Sequence, residues 1–143
     1  MHINVKGPDT REIEDYLKGL EPAVFGVVEK GVRGWVLRAH RASKANLSGS
    51  NSDAPGSYPV PVRTGNTRRS ESYILPGQSK HGLSAGPLEG FLVNTAAAAG
   101  VIHEGTHTQR AFGPRPFQSD AVEDTRDDAM NGMLVGIRRV TVQ

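Results

Sequence analysis

The chain has 143 residues, 36% of them hydrophobic, with 17 glycines and 9 prolines; it fits a single domain with one modest core and much loop. No apolar run reaches membrane-span length, Met1-His2-Ile3-Asn4-Val5-Lys6 lacks a signal-peptide apolar stretch, and the absence of cysteine excludes disulfides, a thiol nucleophile and a Cys-based zinc site; a reducing cytoplasm fits, although cysteine absence alone also fits many secreted bacterial proteins. The formal net charge of +2 is too small to argue nucleic-acid binding by itself.

Residues 9–20 read as a first short helix. Asp9 and Glu12 make a capping-box-like start, and Ile13, Tyr16, Leu17 and Leu20 form one apolar stripe. Pro22 suits the first turn of a second helix, where a missing N–H costs nothing. Val24, Val28, Val32, Trp35, Val36 and Ala39 continue it on one face, while Gly26, Gly31 and Gly34 each weaken it by roughly 1 kcal/mol relative to Ala. Residues 46–61 are rich in Ser, Gly, Pro and Asn and read as a long flexible loop or arm that orders on a partner.

Thr64 is placed to cap a single helical turn ending at Arg69. Residues 72–75 are expected to form a strand stopped by Pro76-Gly77, with 83–85 pairing weakly against it. Phe91-Leu92-Val93 is a stronger strand. Residues 96–103 form a short alanine-rich helix and 105–115 a loop. Pro116 opens a helix through Met130, with Phe117, Ala121, Val122, Thr125 and Ala129 inward and Asp120, Glu123, Asp124, Asp127 and Asp128 outward. Residues 134–142 are read as a final strand whose alternation changes phase near Arg138-Arg139. The expected architecture is α+β: a small, mainly antiparallel sheet packed against N-terminal and C-terminal helices, with one long flexible loop.

Charge is unevenly distributed. Between 33 and 80 the chain holds Arg33, Arg38, Arg41, Lys44, Arg63, Arg68, Arg69 and Lys80 against Asp53 and Glu71; acids collect at 9–21 and 120–128. Solvated faces account for this, and so does a polarised subunit whose basic side meets the acidic side of a neighbour.

His103-Glu104-Gly105-Thr106-His107 matches the H-E-x-x-H zinc-protease pattern, which needs both histidines on one helical face with the Glu as base. Gly105, followed by Thr106 and Thr108, should end the helix inside the motif, and Arg110 stands where a further His would serve. Glu123, in an acidic run, is the nearby downstream carboxylate. No catalytic or metal residue is assigned and no cofactor is expected. Ser70, Ser72, His81 and Asp53 supply hydrolase residue types without a G-x-S-x-G elbow, and no phosphate-binding glycine loop occurs.

Three stretches stand in order: Pro61-Val62-Arg63-Thr64-Gly65-Asn66-Thr67-Arg68-Arg69-Ser70, then Asn94-Thr95-Ala96-Ala97-Ala98-Ala99-Gly100-Val101-Ile102-His103-Glu104-Gly105-Thr106, then Gly113-Pro114-Arg115-Pro116-Phe117. Their order and spacing resemble the tail-completion or neck (head–tail joining) proteins of long-tailed bacteriophages. The shared letters are Pro61, Thr64, Gly65, Arg68 and Ser70, then Asn94, Ala97, Ala98, Glu104, Gly105 and Thr106, then Arg115, Pro116 and Phe117. Thr67 departs from the family's apolar residue and Ala97 from its common aromatic. The likeness covers about half the chain.

The resemblance implies a virion structural protein, not an enzyme, assembled in the host cytoplasm. It would form a ring, commonly sixfold, around the DNA channel at the head–tail junction. Its partners would be copies of itself and the head-closure or connector, tail-terminator and tail-tube proteins, with DNA passing through without sequence-specific contact and no membrane involved. Thr64, Gly65, Glu104, Gly105, Thr106, Arg115, Pro116 and Phe117 then read as scaffold: Thr64-Gly65 a cap, Gly105 a helix terminator, Glu104 an acceptor for Arg115 or Arg68, Pro116 a helix start, and Phe117 its anchor on the sheet. Arg63, Arg68 and Arg69 are the expected subunit interface, meeting Asp120, Asp124 and Asp128 of the next copy. The alternatives are a nucleic-acid-binding module and, behind it, a zinc metalloprotease using the 103–107 motif.

Overall fold

The computed structural model describes residues 1–6, 11, 15, 22–47, 65–104 and 116–141. In chain order these form β1 (His2–Lys6), α1 (Pro22–Asn46), α2 (Asn66–Arg69), β2 (Glu71–Ile74), β3 (Ser79–Lys80), β4 (Leu83–Ser84), β5 (Glu89–Asn94), α3 (Ala99–Glu104), α4 (Phe117–Asp124) and α5 (Arg126–Thr141). Of the first expected helix only Arg11 and Asp15 are described, both helical; most of the expected arm at 46–61 and the loop at 105–115 lie outside the described residues.

The sheet is antiparallel in the order β1-β5-β2. Leu92 of β5 stands opposite Ile3 on one side and Tyr73 on the other. Strand alternation sends Glu71, Tyr73, Gly90, Leu92 and Asn94 to one face and Ile74, Phe91 and Val93 to the other. The first face is covered by α1: Val32, Trp35, Val36 and Ala39 join Leu92, Ala129 and Met133 in the main core. On the other face, Ile74, Phe91 and Val93 pack with Ala85 and Leu83 from the connection between β2 and β5. The architecture is thus α+β, with a second small antiparallel ribbon of β3 and β4. Residues 83–84 pair with Ser79-Lys80, not with β2 as expected, because Pro76 and Gly77 turn the chain back immediately after β2.

α1 follows its apolar periodicity. Val24, Val32, Trp35, Val36, Ala39 and Ser43 are its buried positions. Gly31 is a contact point, because a Cβ there would collide with the Cγ of Met133 and lie 2.9 Å from its Sδ. Its absence lets α5 come in close.

The expected final strand is incorrect. Residues 126–141 are helical, and Ala129, Met133, Ile137 and Val140 fall at helical spacing on the side facing α1. The change of phase near Arg138-Arg139 is the 3.6-residue period sampled over a short window, not a bulge. Nor is there one helix from Pro116 to Met130. α4 ends at Asp124, Thr125 is a turn, and α5 begins at Arg126. The Thr125 hydroxyl donates to the Ala121 carbonyl at 2.7 Å and accepts the Trp35 indole N–H at 3.1 Å. That same N–H reaches the Val122 carbonyl at 3.2 Å. Trp35 therefore binds the junction between the two helices to α1.

Candidate functional site

One buried carboxylate, Glu71, which is 4% exposed, gathers a cluster of polar side chains to which the second sequence stretch contributes Asn94. It sits at the first position of β2, on the face turned to α1. Ser43 Oγ donates to Glu71 Oε1 at 2.7 Å. Asn94 Nδ2 donates to Oε2 at 2.7 Å, and Gln118 Nε2 lies 3.0 and 3.1 Å from the two oxygens. Burial raises the Glu71 pKa above its ordinary value, and the hydrogen bonds from Ser43, Asn94 and Gln118 pull the other way. The donors suit an ionised carboxylate; the desolvation opposes it.

Asn94 is the joint of this cluster. Its amide also donates to the Thr67 carbonyl at 2.8 Å, and its Oδ1 accepts the Ala96 N–H at 3.0 Å, turning the chain from β5 toward α3. Gly65 starts α2 in the left-handed region at φ 72°, and Arg69 N donates back to its carbonyl at 3.0 Å. The third stretch arrives through Phe117, whose carbonyl accepts Asn46 Nδ2 at 3.1 Å and whose neighbour is Gln118. Phe117 is fully buried, but against Leu47, Ala96 and Ala99 and not on the sheet as expected. Pro116 precedes α4, and its carbonyl accepts Asp120 N at 2.8 Å. Thr64, Gly105, Thr106, Arg115 and the Glu104 side chain lie outside what is described, and with them the expected Glu104–arginine hydrogen bond.

Above the cluster runs an open groove of about 800 Å³ lined by Leu37, His40, Arg41, Lys44, Ala45, Arg68 and Tyr73. Its α1 residues lie at positions 37, 40, 41, 44 and 45, a stripe centred away from the side that meets α5. His40 Nε2–H donates to the Glu71 carbonyl at 3.3 Å, and its ring stands edge-on to Tyr73 at 4.8 Å. Desolvation, with Lys44 nearby, lowers the His40 pKa; the bond to the Glu71 carbonyl partly offsets this. Arg68 of the expected interface lines this groove and is exposed, as is Arg69; Arg63 lies outside the described residues. On the acidic side Asp124 and Asp128 are exposed and Asp120 is half-buried.

Of the zinc-protease pattern, His103 is engaged inside the subunit. Its Nε2 is 3.2 Å from Ser119 Oγ, and its ring packs edge-on to Phe117 at 5.7 Å. Gly105, Thr106 and His107 lie outside the described residues. Among the described residues no group of three or more His, Asp or Glu is placed to hold a metal, and no helix is long and apolar enough to cross a membrane.

No protein-family model, no curated protein and no solved structure matches the chain. The sequence reading missed Glu71, Ser43 and Gln118 as a unit. A signal existed for Glu71 alone: an acid two positions before Tyr73, in strand register with the buried face.

Proposed function

We propose that the protein is a structural subunit of a phage neck or tail, forming a ring at the head–tail junction and joining the tail tube to the head connector. The observation that supports this reading is that the second stretch supplies Asn94 to the Glu71 cluster, the first meets Asn94 through the Thr67 carbonyl, and the third ends at Phe117, one residue before Gln118. Thr67, Asn94 and the Phe117-Gln118 pair each supply a hydrogen bond there or beside it. They act as internal joinery. Glu71 is enclosed by donors from Ser43, Asn94 and Gln118, an arrangement that suits a joint inside a scaffold. The surface charges supply the second support. Arg41, Lys44 and Arg68 line a groove on one side of α1, and Glu123, Asp124, Asp127 and Asp128 are exposed at the α4–α5 corner.

A ring requires a head-to-tail contact whose rotation closes. In the proposed contact the acidic corner, with Asp120, Asp124 and Asp128, meets Arg68 and Arg69 of the next copy. Negative-stain imaging with light-scattering mass tests this. Reversing Asp124 and Asp128 to Lys should abolish rings, and adding Arg68→Glu with Arg69→Glu should restore them. Rings indifferent to both changes would sink the interface.

The basic groove favours one other reading, a nucleic-acid-binding module. Affinity for DNA that falls steeply with salt would support it. Binding to DNA by the free subunit, with no self-association at any concentration, would replace the ring reading.

A further inference from the structure

α5 turns Ala129 and Met133 toward α1 and leaves its opposite face open. That face carries two adjacent rows at the 4-3-4 spacing of a helix–helix seam. One row is Asp127, Asn131, Leu134 and Arg138; the other is Asp128, Gly132, Val135 and Arg139. All eight residues are exposed, Leu134 by 48% and Val135 by 45%. A helix favours acids at its start and bases at its end because of its own dipole, which accounts for the charges. It does not account for two branched apolar side chains held in water between them. Nor does it account for Gly132, since glycine costs about 1 kcal/mol relative to Ala in an exposed helix. Among the described residues nothing lies within 4 Å of where a Cβ at Gly132 would stand, so packing among them gives no reason for a glycine there.

We propose that this face pairs with the same face of a second copy, antiparallel across a two-fold axis. Laid against itself in reverse, the first row sets Asp127 against the partner's Arg138 and Asn131 against the partner's Leu134. The second row sets Asp128 against the partner's Arg139 and Gly132 against the partner's Val135. Opposed residues differ in height by about 1.5 Å, one residue of helical rise. A parallel pair would set acid against acid and base against base, so the charge order selects the antiparallel arrangement. Gly132 opens a recess for the opposing valine and brings the axes to the short end of the usual 8–10 Å range, roughly. The contact is isologous. One helix face buries less than a standard interface, so the dimer is weak and concentration-dependent. Asp128 also belongs to the ring contact, so the pair is a form of the free subunit, given up on ring entry.

Two double variants test this by sedimentation velocity across a concentration series: Asp127→Lys with Asp128→Lys, and Arg138→Glu with Arg139→Glu. Each alone faces its own kind across the two-fold, and its dimer should weaken by roughly tenfold or more. Mixed in equal amounts, the all-basic face meets the all-acidic face, and a dimer containing one of each should return. That recovery also shows that both variants are folded. Arg68→Glu with Arg69→Glu, which breaks the ring contact, should leave the dimer unchanged, so the two interfaces fail separately. A wild-type chain that stays monomeric throughout, a variant that dimerises like wild type, or a mixture that remains monomeric would each overturn the pairing.

Discussion

The two ends of α1 are held in opposite ways. Its N-terminal half meets α5 through Val24, Val28 and the notch at Gly31, an apolar contact set by shape. Its C-terminal half presents Ser43 and His40 to Glu71, a polar contact set by counting donors and acceptors. The first kind of contact fails gradually, in proportion to the volume misplaced. The second fails by orphaning, because a buried donor that loses its acceptor carries the whole desolvation penalty.

The sharpest way to break that contrast is Glu71→Ala. Gln118 Nε2 and Ser43 Oγ lose the acceptor, while Asn94 keeps Thr67. A loss of about 2–4 kcal/mol in denaturant unfolding is expected; a loss under half of that would mean that the pocket rehydrates freely. At the apolar end Gly31→Ala forces Met133 aside and should cost about 1–3 kcal/mol. Larger side chains at 31 should worsen it stepwise, whereas at 71 size should matter little. Trp35→Phe removes the indole N–H from the α4–α5 junction while keeping most of the ring, and a loss of about 1 kcal/mol is expected. Calorimetry of that variant should show one transition; two would mean that the helix pair melts separately.

The smallest effect, and the most specific to the polar end, is on pH dependence. Glu71 has a raised folded pKa, so the native state binds more protons than the unfolded chain above the ordinary value of 4.5, and stability from this group falls as pH rises through that window. His40 has a lowered folded pKa, so the unfolded chain binds the extra proton below 6.5, and stability from this group rises with pH up to there. The two slopes oppose each other. Glu71→Gln should remove the first and leave a profile that climbs with pH toward 6.5; His40→Gln should do the reverse. Neither Gly31→Ala nor Trp35→Phe should alter the shape of the profile.

The apolar half of α1 was plain in the sequence because its period is that of a helix and its buried residues are all aliphatic or aromatic. α5 was misread for the converse reason. Gly132, Gly136 and the Arg138-Arg139 pair dilute its stripe until a helix and an irregular strand fit equally well, and only the facing Gly31 and Val27 decide between them. β1 was missed because a short strand at a chain end gains its identity from the partner, here the register from His2 with Val93 to Lys6 with Glu89. The polar cluster was the least legible part. Ser43, Glu71, Asn94 and Gln118 are each ordinary surface residue types, and nothing local says that they will share one buried site. Asn94 alone stood inside a marked stretch, and its neighbours there are small because the chain must turn sharply past it.

The pairing of β1 with β5 joins Met1 to Asn94, with the N-terminal amine 3.3 Å from the Asn94 carbonyl and a sequence separation of 93. Among the described strands β1 is therefore the one that waits longest for its neighbour during synthesis. Until Asn94 has cleared the ribosome, β1 is an unpaired edge beside a growing chain. Such long-range closure slows folding more than it lowers final stability. Moving residues 1–6 to follow the C-terminus would change the loop to be closed while keeping the strand, and refolding rate, not melting temperature, is where that change should register.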